Sequence, residues 1–266
     1  MVEPINIGLI GFGNIGTGVV RAMNMHGDMI NKRLPRPINI SRIADIDLKR
    51  KRPVRYDTRI LTDDFVGVIK DPDIDIIIEL IGGTKIPRKV VDMALRNNKH
   101  VVTANKALLA HYGPTLFNLA EKKGLSLKFE AAVGAGIPVI RSITQGYASS
   151  SIKAIRGILN GTSNYILTNM EKYGKSFREV LGEAQEKGYA EPDPTFDVEG
   201  YDTAHKLAIL ASISFGQDIR IKSVFVEGVT EVRKEDLAYA REMGYAVKLL
   251  GIAKLDDKNR AEVRVH

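Results

Sequence analysis

Hydrophobic residues in the first half of the chain alternate between short β-branched runs and longer amphipathic stretches. The short runs predict strands, and the stretches between them have the three-to-four-residue spacing of helices. The most apolar run, DIDIIIELI at residues 73–81, is typical of a strand that is buried on both faces. The predicted strands are residues 5–10, 38–44, 73–81, 100–103 and 126–130, and the predicted helices are residues 16–25 and 87–97. Strands and helices that alternate over short connections predict a doubly wound parallel sheet.

The pattern changes in the second half, where the helical stretches are longer and the strands follow them. Helices are predicted at residues 162–173, 176–187 and 202–215, and strands at residues 224–229, 247–255 and 262–265. Elements that are segregated in this way favour an α+β domain. We therefore expect an α/β protein with two domains, at residues 1–130 and 131–266.

Composition narrows the class of protein. The 266 residues are 44% hydrophobic and 27% charged, which is typical of a globular protein. The absence of cysteine excludes disulfides, thiolate metal ligands and a cysteine nucleophile, and fits a cytoplasmic location. The start of the chain does not resemble a signal peptide, and no apolar run reaches the roughly eighteen residues of a membrane span. We expect a protein that does not enter membranes.

The net charge of +7 leaves three interpretations of the basic run KRKRPVR at residues 49–55. It could be a solvated loop, a loop that contacts the phosphate of a nucleotide, or a patch for nucleic acid. Aromatic residues make up 6% of the chain and tryptophan is absent, so little is offered for stacking on bases. We therefore expect no nucleic-acid partner.

A glycine-rich segment follows the first predicted strand and opens the first predicted helix. Its G-x-G-x-x-G residues are Gly11, Phe12, Gly13, Asn14, Ile15 and Gly16. In a Rossmann-type domain such glycines allow a tight turn, close approach of a pyrophosphate and close packing of the helix. Asp45, after the second strand, could bind the adenosine ribose of NAD, although it follows Gly16 by 29 residues, where about 20 are usual. The basic residues 49–52 could instead neutralise the 2′-phosphate of NADP, and the sequence leaves both open.

Two further loops are predicted at the same edge of the sheet. Gly83 and Thr84 follow the strand at residues 73–81, and Asn105 and Lys106 follow the strand at residues 100–103. Ligands of open α/β sheets bind outside the carboxyl ends of the strands. These loops are therefore candidates for cofactor binding, with plain turns and a solvated lysine as the alternative.

Carboxylates are concentrated just before the helix predicted at residues 202–215. The segment GYAEPDPTFDVEGYDTAHK contains Glu191, Asp193, Asp197, Glu199 and Asp202, and Lys206 follows one turn into the helix. Asp202 and Lys206 are separated by four residues and share a helix face. The pair could be a surface salt bridge, or it could bind and deprotonate a polar substrate.

Four stretches resemble one family in their order and spacing. They are GLIGFGNIGTG, TANKALLA, FEAAVGAGIPVI and RGILNGTSNYILTNM. Together with GYAEPDP and DTAHK they closely resemble homoserine dehydrogenase, over residues 7 to 228. The resemblance implies a Rossmann-type NAD(P)-binding domain followed by a substrate-binding and dimerisation domain. It implies interconversion of L-homoserine and L-aspartate 4-semialdehyde in the biosynthesis of threonine, methionine and isoleucine, by a homodimer.

The resemblance also implies roles for particular residues. Glu191 and Asp202 would bind homoserine, Lys206 would donate or accept the proton at the reacting oxygen, and Lys106 would be a second active-site lysine near the cofactor. Gly188 would contribute to cofactor binding. In the family, EAAVGAG surrounds a monovalent cation, commonly sodium, so its ligands here would be Glu130, Val133, Ala135 and Ile137. A plain strand-to-helix turn is the alternative for this segment.

The sequence departs from the family at its end. The chain stops at His266 inside a predicted strand, whereas family members continue with a glycine-rich segment and a helix. This predicts a truncated form or a cofactor domain that closes differently. Two alternative functions remain: another NAD(P)-dependent oxidoreductase for a small amino or hydroxy acid, and a non-catalytic protein that binds a dinucleotide.

Overall fold

A computed structural model describes residues 3–266, which form two compact units. The first unit ends at Ile137, and the second begins at Pro138 and extends to His266. None of the helices in the described residues is long and apolar enough to cross a membrane.

The first unit is built on a six-stranded parallel sheet. Its strands are β1 (Ile5–Ile10), β2 (Ile38–Ala44), β3 (Leu61–Thr62), β4 (Ile76–Glu79), β5 (His100–Thr103) and β6 (Leu127–Lys128). Its helices are α1 (Asn14–Asn31), α2 (Phe65–Lys70), α3 (Lys85–Arg96) and α4 (Lys106–Lys122). The strand order is β3-β2-β1-β4-β5-β6, and every pairing is parallel. The order reverses between β1 and β4, so the doubly wound sheet predicted from the sequence is confirmed.

β4 occupies the centre of this sheet, and its position decides which side chains reach the ligand-binding edge. Its residues pair with β1 on one side and β5 on the other, so that Glu79 lies opposite Ile10 and Thr103. The strand is shorter than the prediction for residues 73–81. The Leu80 N–H still donates to the Ile10 carbonyl of β1 at 2.8 Å, but the next N–H, that of Ile81, donates to the Glu79 carboxylate instead.

The second unit combines helices with a mixed four-stranded sheet. Its helices are α5 (Val139–Arg141), α6 (Gly161–Tyr173), α7 (Phe177–Glu186), α8 (Thr195–Val198), α9 (Tyr201–Phe215) and α10 (Lys234–Glu242), with a π-helical turn at Ser142–Gly146. Its strands are β7 (Ala154–Gly157), β8 (Phe225–Val226), β9 (Gly251–Leu255) and β10 (Ala261–Val265), in the order β7-β9-β10-β8. The α+β class predicted for this half is confirmed.

Helix α9 is the central helix of the second unit. Its residues Ala204, Leu207, Ala208 and Ala211 are buried in a core that includes Val263 and Val265 of β10. The helix begins after Gly200 and ends before Gly216, both of which have positive φ values (83° and 64°) that favour glycine. Because α9 is buried on most sides, Asp202 and Thr203 in its first turn are held away from bulk water.

Candidate active site

The glycine-rich loop joins β1 to α1, and each of its three glycines has a different environment. Gly11 has a φ of 98°, and a Cβ there would lie 2.7 Å from the backbone carbonyl group of Leu80. A Cβ at Gly16 would lie 2.2 Å from the Gly11 carbonyl oxygen. A Cβ at Gly13 would meet no atom within 4 Å in the described residues. The first and third glycines are therefore required by the fold, whereas the second faces open space that a ligand could occupy.

Asp45 directly follows β2 and holds the glycine-rich loop. Its Oδ2 accepts a hydrogen bond from the Phe12 N–H at 2.6 Å. Its Oδ1 accepts from the Asp47 N–H at 2.8 Å and lies 3.2 Å from Arg52 Nη2. The long spacing from Gly16 is explained by the 18 residues of α1, so Asp45 has the expected topological position. Three donors already surround its carboxylate, however, which leaves about one of its roughly four acceptor sites for a ribose hydroxyl.

The basic run at residues 49–55 contains one buried cation and four exposed cations. Arg52 is buried, donates to the carbonyls of Phe12 and Asp47 at 2.9 Å and 2.7 Å, and lies over the Phe12 ring. Arg50 and Lys51 are exposed and line a cavity of about 250 Å³ beside the first turn of α1. The run is therefore neither a simple solvated loop nor a uniform basic patch, because Arg52 fixes the loop and its neighbours supply charge to the cavity.

The loops after β4 and β5 are brought together by Asn105. Its Nδ2 donates to the carbonyl oxygens of Ile81 at 3.1 Å and Gly83 at 2.8 Å. Its Oδ1 accepts from the Leu108 N–H at 2.9 Å and caps α4, which begins at Lys106. Gly83 has a φ of 79° and directly precedes Thr84, the N-cap residue of α3. Residues 83, 84 and 106, each predicted to contact the cofactor, thus lie at one end of the sheet.

Behind these loops lies a buried acid that the sequence did not single out. Glu79 is fully buried, its Oε2 accepts from Thr103 Oγ1, and its Oε1 accepts from the Ile81 N–H, both at 2.6 Å. Burial raises the pKa of Glu79, and its two hydrogen bonds oppose the shift without cancelling it. A single glutamate in an otherwise apolar strand was the available signal in the sequence.

The segment predicted to bind a cation forms a compact turn. Glu130 begins the 3-10 helix Glu130–Ala132, and its carbonyl oxygen accepts from the backbone N–H groups of Val133 at 3.2 Å and Gly134 at 3.1 Å. The Ile137 N–H closes a second turn on Gly134 at 3.1 Å, with Ala135 inside it. The structure thus places the four predicted ligands in two consecutive turns after β6. One carboxylate and several backbone carbonyls are a donor set that suits a hard cation.

In the second unit, Asp202 and Lys206 form a buried ion pair. Lys206 Nζ lies 2.7 Å from Asp202 Oδ2, and it also donates to the Leu159 carbonyl at 2.9 Å. The side chain of Asp202 is 4% exposed and that of Lys206 is 19% exposed. A surface salt bridge, which was the alternative interpretation, is therefore excluded for this pair. An ammonium has three N–H donors, and within the described residues two are used, so one remains for a substrate oxygen.

Asn160 and Asp197 complete this cluster, and neither was predicted to belong to it. Asn160 Nδ2 donates to Asp202 Oδ2 at 2.9 Å and to Asp197 Oδ1 at 2.7 Å. The Asn160 Oδ1 caps α6 by accepting from the Ser163 N–H at 2.8 Å. The cluster therefore holds two carboxylates and one ammonium, and this excess of negative charge suits a substrate that carries an ammonium group. The sequence at the start of α6 gave no sign of this contact with two acids.

Glu191 lies in the loop between α7 and α8, with its side chain at the surface. The side chains of Gln185 and Thr162 hold the backbone of this loop. Gln185 Nε2 donates to the Glu191 carbonyl at 3.1 Å, and Thr162 Oγ1 donates to the Tyr189 carbonyl at 3.1 Å. Because Thr162 is in the first turn of α6, the loop is tied to the helix end that Asn160 caps. Gly188, with a φ of 72°, ends α7 and turns the chain into this loop.

The chain is similar in sequence and in structure to known proteins. The family model described as the NAD-binding domain of homoserine dehydrogenase matches residues 11–130, and the model described as homoserine dehydrogenase matches residues 138–266. A homoserine dehydrogenase from Neisseria gonorrhoeae is 43% identical over all of this chain and 60% of its own length. One from Bacillus subtilis is 42% identical over 99% of this chain and 61% of its own length. The chain thus spans about three fifths of these curated relatives.

Solved structures agree with these matches. A homoserine dehydrogenase from Thiobacillus denitrificans superposes with a TM-score of 0.90 at 43% identity, covering 100% of this chain and 61% of that one. A protein from Archaeoglobus fulgidus that is assigned as a homoserine dehydrogenase superposes with a TM-score of 0.86 at 32% identity, covering 98% of this chain and 82% of that one. The first unit is therefore a nicotinamide-dinucleotide-binding domain of the Rossmann type, and the chain belongs to the homoserine dehydrogenase family.

Proposed function

We propose that this protein interconverts L-homoserine and L-aspartate 4-semialdehyde by hydride transfer to and from a nicotinamide dinucleotide. The observation that carries the proposal is the buried pair of Asp202 and Lys206, with Asp197 joined to it through Asn160. Oxidation of homoserine removes a hydride from the hydroxyl-bearing carbon and a proton from its oxygen, which leaves an aldehyde. A nicotinamide dinucleotide held by the first unit would supply the hydride acceptor, and the protein's own residues must accept the proton.

Lys206 is the proposed site of proton transfer. Its ammonium is fixed by Asp202 and by the Leu159 carbonyl, so its position is set before the substrate arrives. In the direction of aldehyde reduction, the third N–H donates its proton to the oxygen as the hydride adds to carbon. In the reverse direction, Lys206 accepts the proton from the hydroxyl after water or a second base has taken one from its ammonium. Lys106, at the start of α4, is proposed as a second lysine that contacts substrate and cofactor.

Carboxylates are proposed to select the amino-acid substrate. Asp202 and Glu191 would bind polar groups of homoserine, with its ammonium as the expected target. The loop of Glu191 is pinned to α6 by Thr162, which limits how far this exposed carboxylate can move. A hydroxy acid of the same length would lack the ammonium and would leave this negative charge uncompensated.

The cofactor is proposed to contact residues 11–16, Gly83, Thr84, Lys106 and Gly188, and NADP is proposed as the preferred form. Arg50, Lys51 and Arg21 line the cavity beside α1 and would neutralise a 2′-phosphate. Asp45 is already surrounded by three donors, so its position after β2 is weaker support for binding the ribose hydroxyl of NAD. The Michaelis constants for NAD and NADP, measured for the wild type and for Arg50→Ala, check this preference, and equal losses for both cofactors would contradict it.

A monovalent cation and a second copy of the chain are further parts of the proposal. The turns from Glu130 to Ile137 supply a carboxylate and backbone carbonyls for sodium, and a change in the thermal midpoint between sodium and a bulky organic cation would reveal binding. Self-association is proposed through the second unit, where β7 and β8 are the edge strands and Phe225 on β8 is exposed. Light scattering would measure the mass in solution. The cytoplasmic location stays a prediction.

The central experiment measures formation of reduced cofactor by its absorbance, with homoserine and NADP or NAD. A panel of related substrates, including serine, threonine and 4-hydroxybutyrate, separates this function from that of another oxidoreductase. The proposal is supported if the wild type oxidises homoserine and the Lys206→Met variant does not. Cofactor binding without turnover of any substrate would favour the non-catalytic alternative, and turnover of another substrate in preference to homoserine would contradict the substrate assignment.

A further inference from the structure

Glu79 is a buried acid at the cofactor-binding edge of the sheet, and its hydrogen bonds form a closed ring. The Ile81 N–H donates to Oε1, and Thr103 Oγ1 donates to Oε2. The Asn105 N–H donates to Thr103 Oγ1 at 3.0 Å, and Asn105 Nδ2 donates back to the Ile81 carbonyl at 3.1 Å. The ring thus joins the end of β4, the end of β5 and the two loops that follow them.

The acid has no cationic partner in the described residues. Its neighbours across the sheet are Ile10 and Thr103, and its two contacts are a hydroxyl and a backbone N–H. A buried carboxyl without a counter-charge costs stability, and an apolar residue at this central position would pack without that cost. A function in holding the loops accounts for an acid here better than a contribution to the core does.

The ring lies on the nicotinamide side of the expected cofactor position. In a Rossmann-type domain the pyrophosphate binds at the glycine-rich loop and the adenosine lies toward β2. Strands β2 and β4 lie on opposite sides of β1, so the other half of the dinucleotide extends over β4 and β5. The ring sets the position of Gly83 through the 2.8 Å bond from Asn105, and it sets the start of the helix that carries Lys106.

We propose that Glu79 is a positioning residue for the nicotinamide half of the cofactor, acting through Thr103 and Asn105 on the loops that carry Gly83 and Lys106. The carboxylate contacts neither substrate nor cofactor. It orders the two loops before the cofactor binds, which lowers the entropic cost of binding. This inference rests on the proposed use of a nicotinamide dinucleotide.

The test compares two ligands that share the adenosine half. NADPH contains both halves, whereas adenosine 2′,5′-bisphosphate contains the adenosine portion without nicotinamide. Their dissociation constants are measured by NADPH fluorescence and by calorimetry on wild type, Glu79→Gln, Thr103→Val and Thr103→Ser. Glutamine keeps the shape of Glu79 but presents a donor where one acceptor stood, and valine keeps the shape of threonine without its hydroxyl.

We expect Glu79→Gln and Thr103→Val to weaken NADPH binding roughly tenfold, as loss of one hydrogen bond to a charged group implies. Binding of adenosine 2′,5′-bisphosphate should stay at the wild-type value, and Thr103→Ser should retain tight binding of NADPH. Unchanged NADPH affinity in both disruptive variants would overturn the inference. Equal weakening of both ligands would also overturn it, because it would indicate a general effect on the fold. If Glu79→Gln does not fold, Thr103→Val tests the same ring, and a wild type that binds neither ligand would contradict the proposed function instead.

Discussion

Replacing Lys206 by methionine tests how much the buried ion pair with Asp202 contributes to the free energy of unfolding. Methionine retains an unbranched side chain of similar length and removes the charge. In the variant, Asp202 loses its ammonium partner and keeps the Asn160 amide at 2.9 Å, and the Leu159 carbonyl loses the donor that lay at 2.9 Å. Asp202 remains buried and Leu159 remains half-buried, so the loss is larger than that of a surface salt bridge.

The magnitude follows from the exposure of the two side chains. Removing one partner of a buried ion pair costs about 3–5 kcal/mol, because the other charge is left without compensation. Asp202 is 4% exposed, but Lys206 is 19% exposed, so water can approach from the lysine side. We therefore expect the low end, about 3 kcal/mol in the free energy of unfolding. For a chain of this size that corresponds to a fall of roughly 6–12 °C in the thermal midpoint.

Urea denaturation followed by circular dichroism measures this loss, and the first unit provides a matched control. Asp92 and Arg96 are also separated by four residues on a helix and also lie 2.7 Å apart, but their side chains are 40% and 63% exposed. Arg96→Met should change the midpoint very little, since exposed pairs contribute little. Adding Asp202→Asn to Lys206→Met should restore much of the lost stability. Equal effects of Lys206→Met and Arg96→Met would refute the reasoning, because they would show that burial in this cluster has no electrostatic cost.

Further predictions address binding, catalysis and pH. Gly13→Val should abolish NADPH binding, measured by fluorescence, while the protein remains folded. Gly16→Ala should instead lower the midpoint of thermal melts, because its Cβ would lie 2.2 Å from a carbonyl oxygen. Glu191→Gln should raise the Michaelis constant for homoserine more than that for the cofactor. Lys206→Arg should lower turnover by roughly 10²–10⁴-fold, because arginine does not readily release its proton. Near-normal turnover of Lys206→Arg would exclude proton transfer through this lysine. Burial raises the pKa of Glu79 above its usual 4.5. Its contribution to stability is therefore fully present below that value and is lost as pH rises through the folded-state pKa. In urea titrations, the stability of Glu79→Gln relative to wild type should increase with pH.

Elements with a strong local pattern could be predicted from the sequence. The strands at residues 5–10, 38–44 and 100–103 have the predicted limits, because their β-branched runs are bounded by turn residues. Helix α4 at Lys106–Lys122 was not predicted, and it contains Pro114, which removes a backbone donor from the helix interior. The 3.6-residue pattern is weak there because polar and apolar residues are mixed around the helix, so tertiary packing decides its conformation.

The candidate site was predictable where its chemistry is local and not where it depends on distant contacts. Gly11, Gly13 and Gly16 form a motif, and Asp202 and Lys206 are one turn apart on a helix. By contrast, the contact of Asn160 with two acids joins residues that are 37 and 42 positions apart. Neither periodicity nor residue type indicates such pairs, which arise when helices of the second unit pack together.

Two asparagines show the same arrangement in different units. In each, the side-chain oxygen caps a helix, at Leu108 for Asn105 and at Ser163 for Asn160, while the nitrogen donates two bonds to another part of the chain. Serine or aspartate could cap these helices equally well, but neither can donate two hydrogen bonds while accepting one. The amide is therefore required by the bridge and not by the cap. In each unit a helix start and a distant loop or carboxylate are fixed by a single side chain, so the groups that the mechanism needs are ordered by the fold before any ligand binds.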